Sequence, residues 1–420
     1  MQVRIDTNDL TLGMYVSKLD RPWLESPFLF QGFFIDSQAL LQKLQQTCNY
    51  VYVDDEESVV PIPRPANKPV SKNGVATTSK APASHSVLNK RDLANYNNFK
   101  QDLAVAGKVN LNTKSYISSM LKEARLGHTI DTKKARLIVN DMVECIVNNP
   151  HALVWFTNLK DKNEYTANHS LNVCIIALAF GNFCQLDRDQ LNILGFGALF
   201  HDIGKMKVPL EILDKPDRLT AKEYEEVKHH PVHGYELLKT DDYFPQDALD
   251  IVLSHHERND GTGYPRGLKS GQIKFLSKLV SVVDMYDAIT TSRVYHEPIT
   301  PHEALSCMFH WVPNRFDQKI VEQFIKCLGI YPVGSVVELN TGEVGVVVSV
   351  NDQHHLKPVV LLVMNENREY YSVRKLINLA NPELNHLDRP PEISHVLNAE
   401  LENIDLSRII IDESLHNQVA

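Results

Sequence analysis

The sequence lacks a surplus of positive charge, a long apolar run and paired cysteines. Its 52 acidic residues outnumber 43 lysines and arginines, giving a net charge of −9, which argues against a nonspecific surface for a nucleic-acid polymer. The longest apolar run, residues 173–180, is too short to cross a bilayer, and the first ten residues show no signal peptide. The six cysteines form no Cys-x-x-Cys pair, which indicates reduced thiols in a cytoplasmic protein.

The composition is that of a globular chain with more than one domain. Of the 420 residues, 43% are hydrophobic and 23% charged, and about 150 residues per domain gives two to three domains. We expect six regions: a small α+β module at 1–60, a Pro/Ser/Lys-rich linker at 61–90, a helical connector at 91–148, a helical core region at 149–330, a small β-rich domain at 331–382 and a loosely held acidic tail at 383–420.

Periodicity supports this division. Residues 3–5 and 50–53 read as strands around a helix that contains residues 39–44. The spacing stays helical from 91 to 330 and then changes, with strands predicted at 336–339, 345–348 and 359–363. The fold class predicted is mostly α: a helical-bundle core with a small α+β module before it and a short β-rich region after it.

Five segments of the helical region offer side chains that bind divalent metal ions. They are His169, the pair His201 and Asp202, His230, the pair His255 and His256, and Asp284. Each lies on or beside an apolar helix face, where a polar group needs a partner. A core histidine bonded to a carbonyl oxygen, or a pair on the surface, is the alternative for each segment alone; five in one region favour a shared site.

Local pattern refines these assignments. Adjacent residues such as His201 and Asp202 reach one centre only near a helix end, which Gly204 is expected to provide. Asp202 can bridge two ions through its two oxygens, and Lys205 offers a positive charge to an anionic substrate. The apolar phase after the capping box at 220–223 favours His230 over His229, which we expect to be solvated.

Two further positions were assigned from the same kind of pattern. The turn at 261–265 is expected to present Tyr264 beside the histidine pair, although a surface loop is the plainer interpretation. Asp287 faces away from Asp284 on the predicted helix and is expected to be a cap or a structural acid. Two or three ions held by His and Asp with open positions suit hydrolysis of a phosphodiester.

The segments together resemble the HD-GYP family, a branch of the HD metal-dependent phosphohydrolases. The resemblance covers about residues 150–330 and rests on these matching stretches: Tyr165–Val173, His201–Pro209, Leu213–Pro216, His230–Gly234, His255–Pro265 and Asp284–Ala288. The stretch at 12–16 is similar to the module often found before such domains, whose role is poorly defined. The family hydrolyses bacterial cyclic dinucleotides, chiefly cyclic di-GMP, and some members act on 3′3′-cyclic GMP-AMP.

The resemblance implies a role for each matching residue. All seven ligand candidates would bind metal, Asp202 would bridge, and Lys205 would contact the scissile phosphate and assist the leaving oxygen. Tyr264 would line the nucleotide pocket, and Arg293 falls where the family has a phosphate-binding arginine. His296 replaces the basic residue that usually follows Arg293 by three positions, which weakens the prediction of substrate.

A second difference from the family pattern bears on the number of metal ions, and the ligand types bear on their identity. Members with three metals carry a carboxylate four residues before the first histidine, where this chain has Tyr165. We therefore expect two divalent ions. Iron or manganese fits the mixed nitrogen and oxygen ligands better than a dedicated zinc site does, while magnesium, nickel and zinc remain compatible.

Two other functions are alternatives to a phosphodiesterase. A catalytically silent sensor of cyclic dinucleotides would be expected to have lost ligands, and none of the seven is missing. An HD hydrolase of nucleotide phosphates or (p)ppGpp would be expected to lack the stretch 263–265. A homodimer or a signalling-protein partner is left open.

Overall fold

The computed structural model describes residues 2–20, 33–35, 38–54, 90–159, 165–215, 217–291, 299–351, 354–381, 383–384, 390–399 and 402–415. The chain divides into two compact units, residues 1–86 and 87–420. The predicted linker at 61–90 lies outside the described residues, apart from Lys90.

The first unit is a small antiparallel sheet with one helix. Its elements are β1 (Gln2–Asp6), β2 (Tyr15–Leu19), β3 (Phe33–Phe34), α1 (Gln38–Thr47) and β4 (Tyr50–Asp54). The strand order is β1-β4-β2-β3, and Val16, Leu44, Val51 and Val53 form part of its buried core. Both predicted strands and the predicted helix are confirmed.

The second unit is mainly helical. Its helices before the sheet are α2 (Lys90–Leu126), α3 (Thr132–Asn148), α4 (Pro150–Trp155), α5 (Tyr165–Phe183), α6 (Arg188–Phe200), α7 (Leu210–Leu213), α8 (Ala221–Val227), α9 (His230–Leu238), α10 (Gln246–Ser254), α11 (Phe275–Thr290), α12 (Pro301–Arg315) and α13 (Gln318–Leu328). A 3-10 segment, Ile203–Lys207, follows α6.

Helix α5 is the centre of this body. Its residues are buried almost without interruption from Ala167 to Gly181, as expected for a helix that is apolar on every side. It packs against α6 and α11, while α2 and α3 cover it from other sides. This packing brings the beginning of α5, the end of α6 and the middle of α11 together.

A five-stranded antiparallel sheet follows the helices. It contains β5 (Val336–Leu339), β6 (Val344–Ser349), β7 (Val359–Met364), β8 (Tyr370–Asn378) and β9 (Ile393–Leu397), in the order β8-β7-β6-β5-β9. The three predicted strands are confirmed, and β8 and β9 were not predicted. The fold class is confirmed: the chain is mostly helical, with an α+β module first and a β-rich region last.

The expectation of a loosely held tail is wrong for most of residues 390–415. Strand β9 pairs with β5, and a last helix, α14 (Leu406–Leu415), packs against α2 and buries Ile409 and Ile410. Arg374 joins this helix to the sheet through Asp412 and Glu413, each at 3.0 Å. The acidic composition misled the prediction because these acids have a partner.

No helix within the described residues combines the length and apolarity that a bilayer crossing requires.

Candidate metal centre

The seven predicted ligand side chains converge in two groups. Asp202, His230, His255 and His256 form the first, and His169, His201 and Asp284 form the second. Within each group the ligand atoms lie within 4.8 Å of one another. Six of these residues are buried and His256 is half-buried. The five segments therefore meet at one site, although they are spread over more than a hundred residues of sequence.

Asp202 lies between the two groups and presents one oxygen to each. Its Oδ1 is 3.1 Å from Nε2 of His230, and its Oδ2 is 3.5 Å from Nε2 of both His169 and His201. Oδ1 is buried and accepts no hydrogen bond from any residue that the structure describes. A buried acceptor without a donor is costly, and a cation at this position would satisfy it.

Three of the histidines are held in the same orientation by the backbone. Each donates its Nδ1 hydrogen to a carbonyl oxygen three residues earlier: His201 to Ala198 at 2.7 Å, His230 to Val227 at 2.8 Å and His255 to Val252 at 2.9 Å. A carbonyl only accepts, so Nδ1 carries the hydrogen and Nε2 of the neutral ring offers a lone pair. This is the arrangement of a metal-ligating histidine.

The Nε2 atoms of these rings face other ring nitrogens across the site. Nε2 of His230 lies 3.1 Å from Nε2 of His255, and Nε2 of His201 lies 3.3 Å from Nε2 of His169. With the Nδ1 hydrogens of His230 and His255 donated to the backbone, the neutral rings have no hydrogen to share between their Nε2 atoms. A divalent cation bound by both nitrogens fits this arrangement, and the residues present therefore fit a metal centre.

A carboxylate orients His169. Its Nδ1 lies 2.6 Å from Oδ2 of Asp287, and the other oxygen of that carboxylate, Oδ1, accepts hydrogen bonds from Asn172 at 3.0 Å and Thr291 at 3.3 Å. Burial lowers the pKa of His169, but Asp284 and Asp287 outweigh it and bring the pKa to about 9. We expected Asp287 to be a cap or a structural acid, and the structure gives it a specific partner.

Electrostatics elsewhere in the site favour neutral rings and ionised carboxylates. Burial lowers the pKa of His201, of His255 and of His256, the last to about 3. Burial raises the pKa of Asp202, but Lys205 and neighbouring histidines bring it well below the usual range. Neutral imidazoles with carboxylates are a donor set for borderline divalent ions.

Lys205 lies at the edge of the centre, where the close packing of Gly204 against α9 places it. The Nζ of Lys205 is 2.5 Å from Oδ2 of Asp202, and its side chain is about a quarter exposed. The helix before it ends at Phe200, so Gly204 does not provide the helix end as expected. Instead, a Cβ at Gly204 would lie 1.9 Å from the carbonyl oxygen of His230, because the 3-10 segment packs directly on α9.

Tyr264 lies beside the histidine pair, as expected. Its ring centroid is 4.7 Å from that of His256, and its backbone N–H donates to the His256 carbonyl at 3.2 Å. Gly263 makes this close approach sterically possible, since a Cβ there would lie 2.3 Å from the backbone nitrogen of Arg258. The peptide bond between Tyr264 and Pro265 is cis.

Glu257, which was not predicted as a site residue, holds the same loop from inside. Its side chain is buried and accepts hydrogen bonds from the backbone N–H groups of Arg266 and Leu268, both at 2.8 Å. A charged residue directly after two ligands was the available clue. Its partners, however, lie nine and eleven residues further on and could not be identified from spacing.

The remaining candidates fall outside the two groups. His229 is exposed and bonds through Nδ1 to the carbonyl of Glu225 at 2.8 Å, as expected for a solvated neighbour. The ring of Tyr165 stacks on His169 with centroids 5.9 Å apart. Arg293 and His296 lie outside the described residues.

Fold and site together define a metal-dependent phosphohydrolase whose ligands come largely from the ends of core helices. Residues 155–320 match the model of the HD domain. The cyclic di-GMP phosphodiesterase PA4108 of Pseudomonas aeruginosa is 34% identical over 90% of this chain and 89% of its own length. The chain belongs to the HD-GYP family.

Other comparisons cover the flanking regions and more distant proteins. Residues 2–135 match a domain of unknown function, and residues 336–385 match a KOW domain associated with the HD domain. The 3′3′-cGAMP-specific phosphodiesterase 1 of Vibrio cholerae is 30% identical over 43% of this chain and 42% of its own. The solved structure of Bd1817, an HDG"Y"P protein from Bdellovibrio bacteriovorus, covers 77% of this chain and 98% of its own at TM-score 0.45 and 16% identity.

Proposed function

We propose that this chain is a metal-dependent phosphodiesterase that hydrolyses a cyclic dinucleotide, cyclic di-GMP, to the linear dinucleotide or the mononucleotide. The observation that carries the proposal is the placement of Asp202, whose two oxygens face two separate groups of ligands. A carboxylate shared in this way suits a two-metal phosphodiesterase centre. The substrate is suggested by the full-length similarity to the Pseudomonas enzyme.

The metal centre is proposed to bind two divalent ions. Asp202 would be shared between them, and the other six residues would complete the two groups of ligands. The presence of Tyr165 where three-metal relatives carry a carboxylate supports two ions rather than three. Iron or manganese is proposed, since the ligands are nitrogen and oxygen; magnesium, nickel or zinc would fit less specifically.

The chain's own residues orient the substrate and handle its charge. Bound ions would supply an activated water and stabilise the attacking and leaving oxygens. Lys205, whose Nζ already contacts Asp202, contacts the scissile phosphate, offsets the negative charge that develops there and assists the departing ribose oxygen. Tyr264 lines the nucleotide pocket beside His256. Arg293 and His296 are proposed to contact a phosphate or base on the same ligand.

A second candidate substrate is 3′3′-cyclic GMP-AMP. The Vibrio cholerae phosphodiesterase named for that substrate is 30% identical over its matched region. His296 stands where the family usually has a stronger base, so one contact to phosphate or guanine differs. The two substrates share the scissile bond and one guanine, and the same metal centre would cleave either.

The domain division remains a proposal with some support. The connector at 91–148 contributes α2 and α3, which pack on α5 and α6. We therefore propose that it stabilises the catalytic region at 149–330, and that the module at 1–60 and the β-rich domain at 331–382 are separate domains. A cytoplasmic location is part of the same proposal, supported by a sequence whose six cysteines form no Cys-x-x-Cys pair.

One assay tests the proposal. Metal-depleted protein is reconstituted with each candidate ion and given cyclic di-GMP, 3′3′-cyclic GMP-AMP and cyclic di-AMP in turn, and the products are separated by chromatography. Rapid conversion of cyclic di-GMP supports the proposal. A reconstituted protein that cleaves none of the three would contradict it.

Adjacent histidines provide a matched pair of variants for the same assay. His230→Ala removes a buried ligand and should abolish turnover, because the centre loses the one ligand atom that His230 offers, Nε2. His229→Ala removes the exposed neighbour, which lies outside both groups, and should leave turnover unchanged. His201→Ala and Asp202→Ala should also abolish hydrolysis in folded protein. Equal activity of the His229 and His230 variants would refute the ligand assignment.

A further inference from the structure

Two tyrosines and a lysine form a surface beside the metal centre that the site described above does not explain. The Nζ of Lys228 lies 5.5 Å from the ring centroid of Tyr264 and 5.8 Å from that of Tyr224. Both distances are within the range of a cation–π interaction. We call Tyr224, Lys228 and Tyr264 the tyrosine–lysine platform.

The platform adjoins the first group of ligands. The ring of Tyr264 lies 4.7 Å from that of His256 and 6.4 Å from that of His230, measured between centroids. Tyr224 is 49% exposed, so an aromatic face remains available to solvent. A substrate whose phosphodiester reached the metal ligands would place the attached sugar and base next to this surface.

The platform is built on a short helix with two anchors. The helix begins with a capping box between Thr220 and Glu223. Lys215 holds the carboxylate of Glu223 with contacts of 2.6 and 2.9 Å. These contacts fix helix α8, which carries Tyr224 and is followed directly by Lys228, so both side chains approach a ligand from a defined support.

Lys228 has the chemistry to distinguish one base from another. It is paired with Glu225 at 2.9 Å, a contact to a mostly exposed carboxylate, and such surface pairs contribute little. Guanine presents two acceptors, O6 and N7, on one edge, and lysine is a common partner for them. Adenine carries an amino donor in place of O6, and an ammonium group has no acceptor to offer it.

We propose that the tyrosine–lysine platform binds one guanine of the substrate, with the base stacked on tyrosine and Lys228 donating to its O6 and N7. The inference rests on the proposed function and deepens it, because it assigns a residue to the choice of guanine over adenine. Stacking on aromatic rings accepts any base, so the selectivity lies in Lys228.

The first test removes the positive charge of Lys228 while keeping a long side chain. Lys228→Met should lower kcat/KM for cyclic di-GMP about tenfold or more, the range of one good base contact. The inhibition constant of cyclic di-AMP against cyclic di-GMP hydrolysis should change less than twofold. Lys222→Met is the matched control, since Lys222 is exposed on the same helix, and both quantities should stay as in the wild type.

Variants of Tyr224 separate stacking from base selection. Tyr224→Ala should weaken the binding of cyclic di-GMP and of cyclic di-AMP by similar factors of about ten. Tyr224→Phe keeps the ring and should leave the binding of both unchanged. Metal content and melting temperature are measured for each variant, so that damage to the centre or the fold is recognised.

The outcomes separate this inference from the proposed function. A wild-type protein that does not hydrolyse cyclic di-GMP rejects the proposed function. If the wild type hydrolyses cyclic di-GMP but Lys228→Met has unchanged kinetics, the role of Lys228 alone is overturned. The same holds if Lys228→Met weakens the binding of cyclic di-GMP and of cyclic di-AMP by equal factors.

Discussion

Replacing Gly204 by alanine tests how the metal centre is assembled. The added Cβ would lie 1.9 Å from the carbonyl oxygen of His230 and 2.4 Å from the backbone nitrogen of Gly234. Both atoms belong to the backbone of α9, so no side chain can rotate away to make room. The 3-10 segment Ile203–Lys207 and α9 must therefore separate.

The size of that separation sets the expected loss. Normal packing would require a shift of about 1 Å or more, and a misplacement of about 1 Å at a reacting centre lowers the rate roughly 100-fold. The shift would act on the 3.1 Å contact between Asp202 and His230, which lies within the first group of ligands. Overpacking should also lower the free energy of unfolding by about 1–3 kcal/mol.

Gly271→Ala is the matched control. A Cβ at Gly271 would meet nothing within 4 Å, so this variant should keep wild-type activity and stability. The measurements are kcat/KM for cyclic di-GMP, bound metal per chain and the midpoint of denaturant unfolding. Full activity and full metal content in Gly204→Ala would refute the claim that the close contact with α9 positions the centre.

Three further variants test other parts of the structure. Asp287→Asn should weaken metal affinity about 10- to 100-fold, because His169 loses its orienting carboxylate; unchanged affinity in a metal titration would contradict this. Glu257→Gln should destabilise the loop that carries Tyr264 by about 1–3 kcal/mol, since an amide donor would face a backbone donor, and an unchanged melting temperature would argue against it. Arg374→Met should lower the free energy of unfolding by about 2 kcal/mol, since charged hydrogen bonds to the last helix are lost; urea denaturation measures it, and an unshifted midpoint would count against that role.

The residues that converge in the metal centre were predictable because they sit in short, dense motifs. His201 and Asp202, and His255 and His256, are adjacent in sequence, and the apolar phase of each helix indicated which side faced the core. The choice of His230 over His229 followed from the same phase, and the structure buries the first and exposes the second. Local patterns carried this information without knowledge of the fold.

Contacts between distant segments were not predictable in the same way. Gly204 was assigned to a helix end, yet its importance comes from the backbone of α9, which no local pattern reveals. The partner of Asp287 lies 118 residues away at His169. The tail was judged by its charge, whereas its ion pairs with Arg374 of β8 join residues 38 and 39 positions apart.

Metal titration of the enzyme tests the central claim most directly. The metal-depleted protein receives increasing manganese while cyclic di-GMP hydrolysis and bound metal are followed together. A carboxylate of Asp202 shared between two groups predicts that activity reaches its plateau at two ions per chain. A plateau at one ion, or full activity without added metal, would contradict the account.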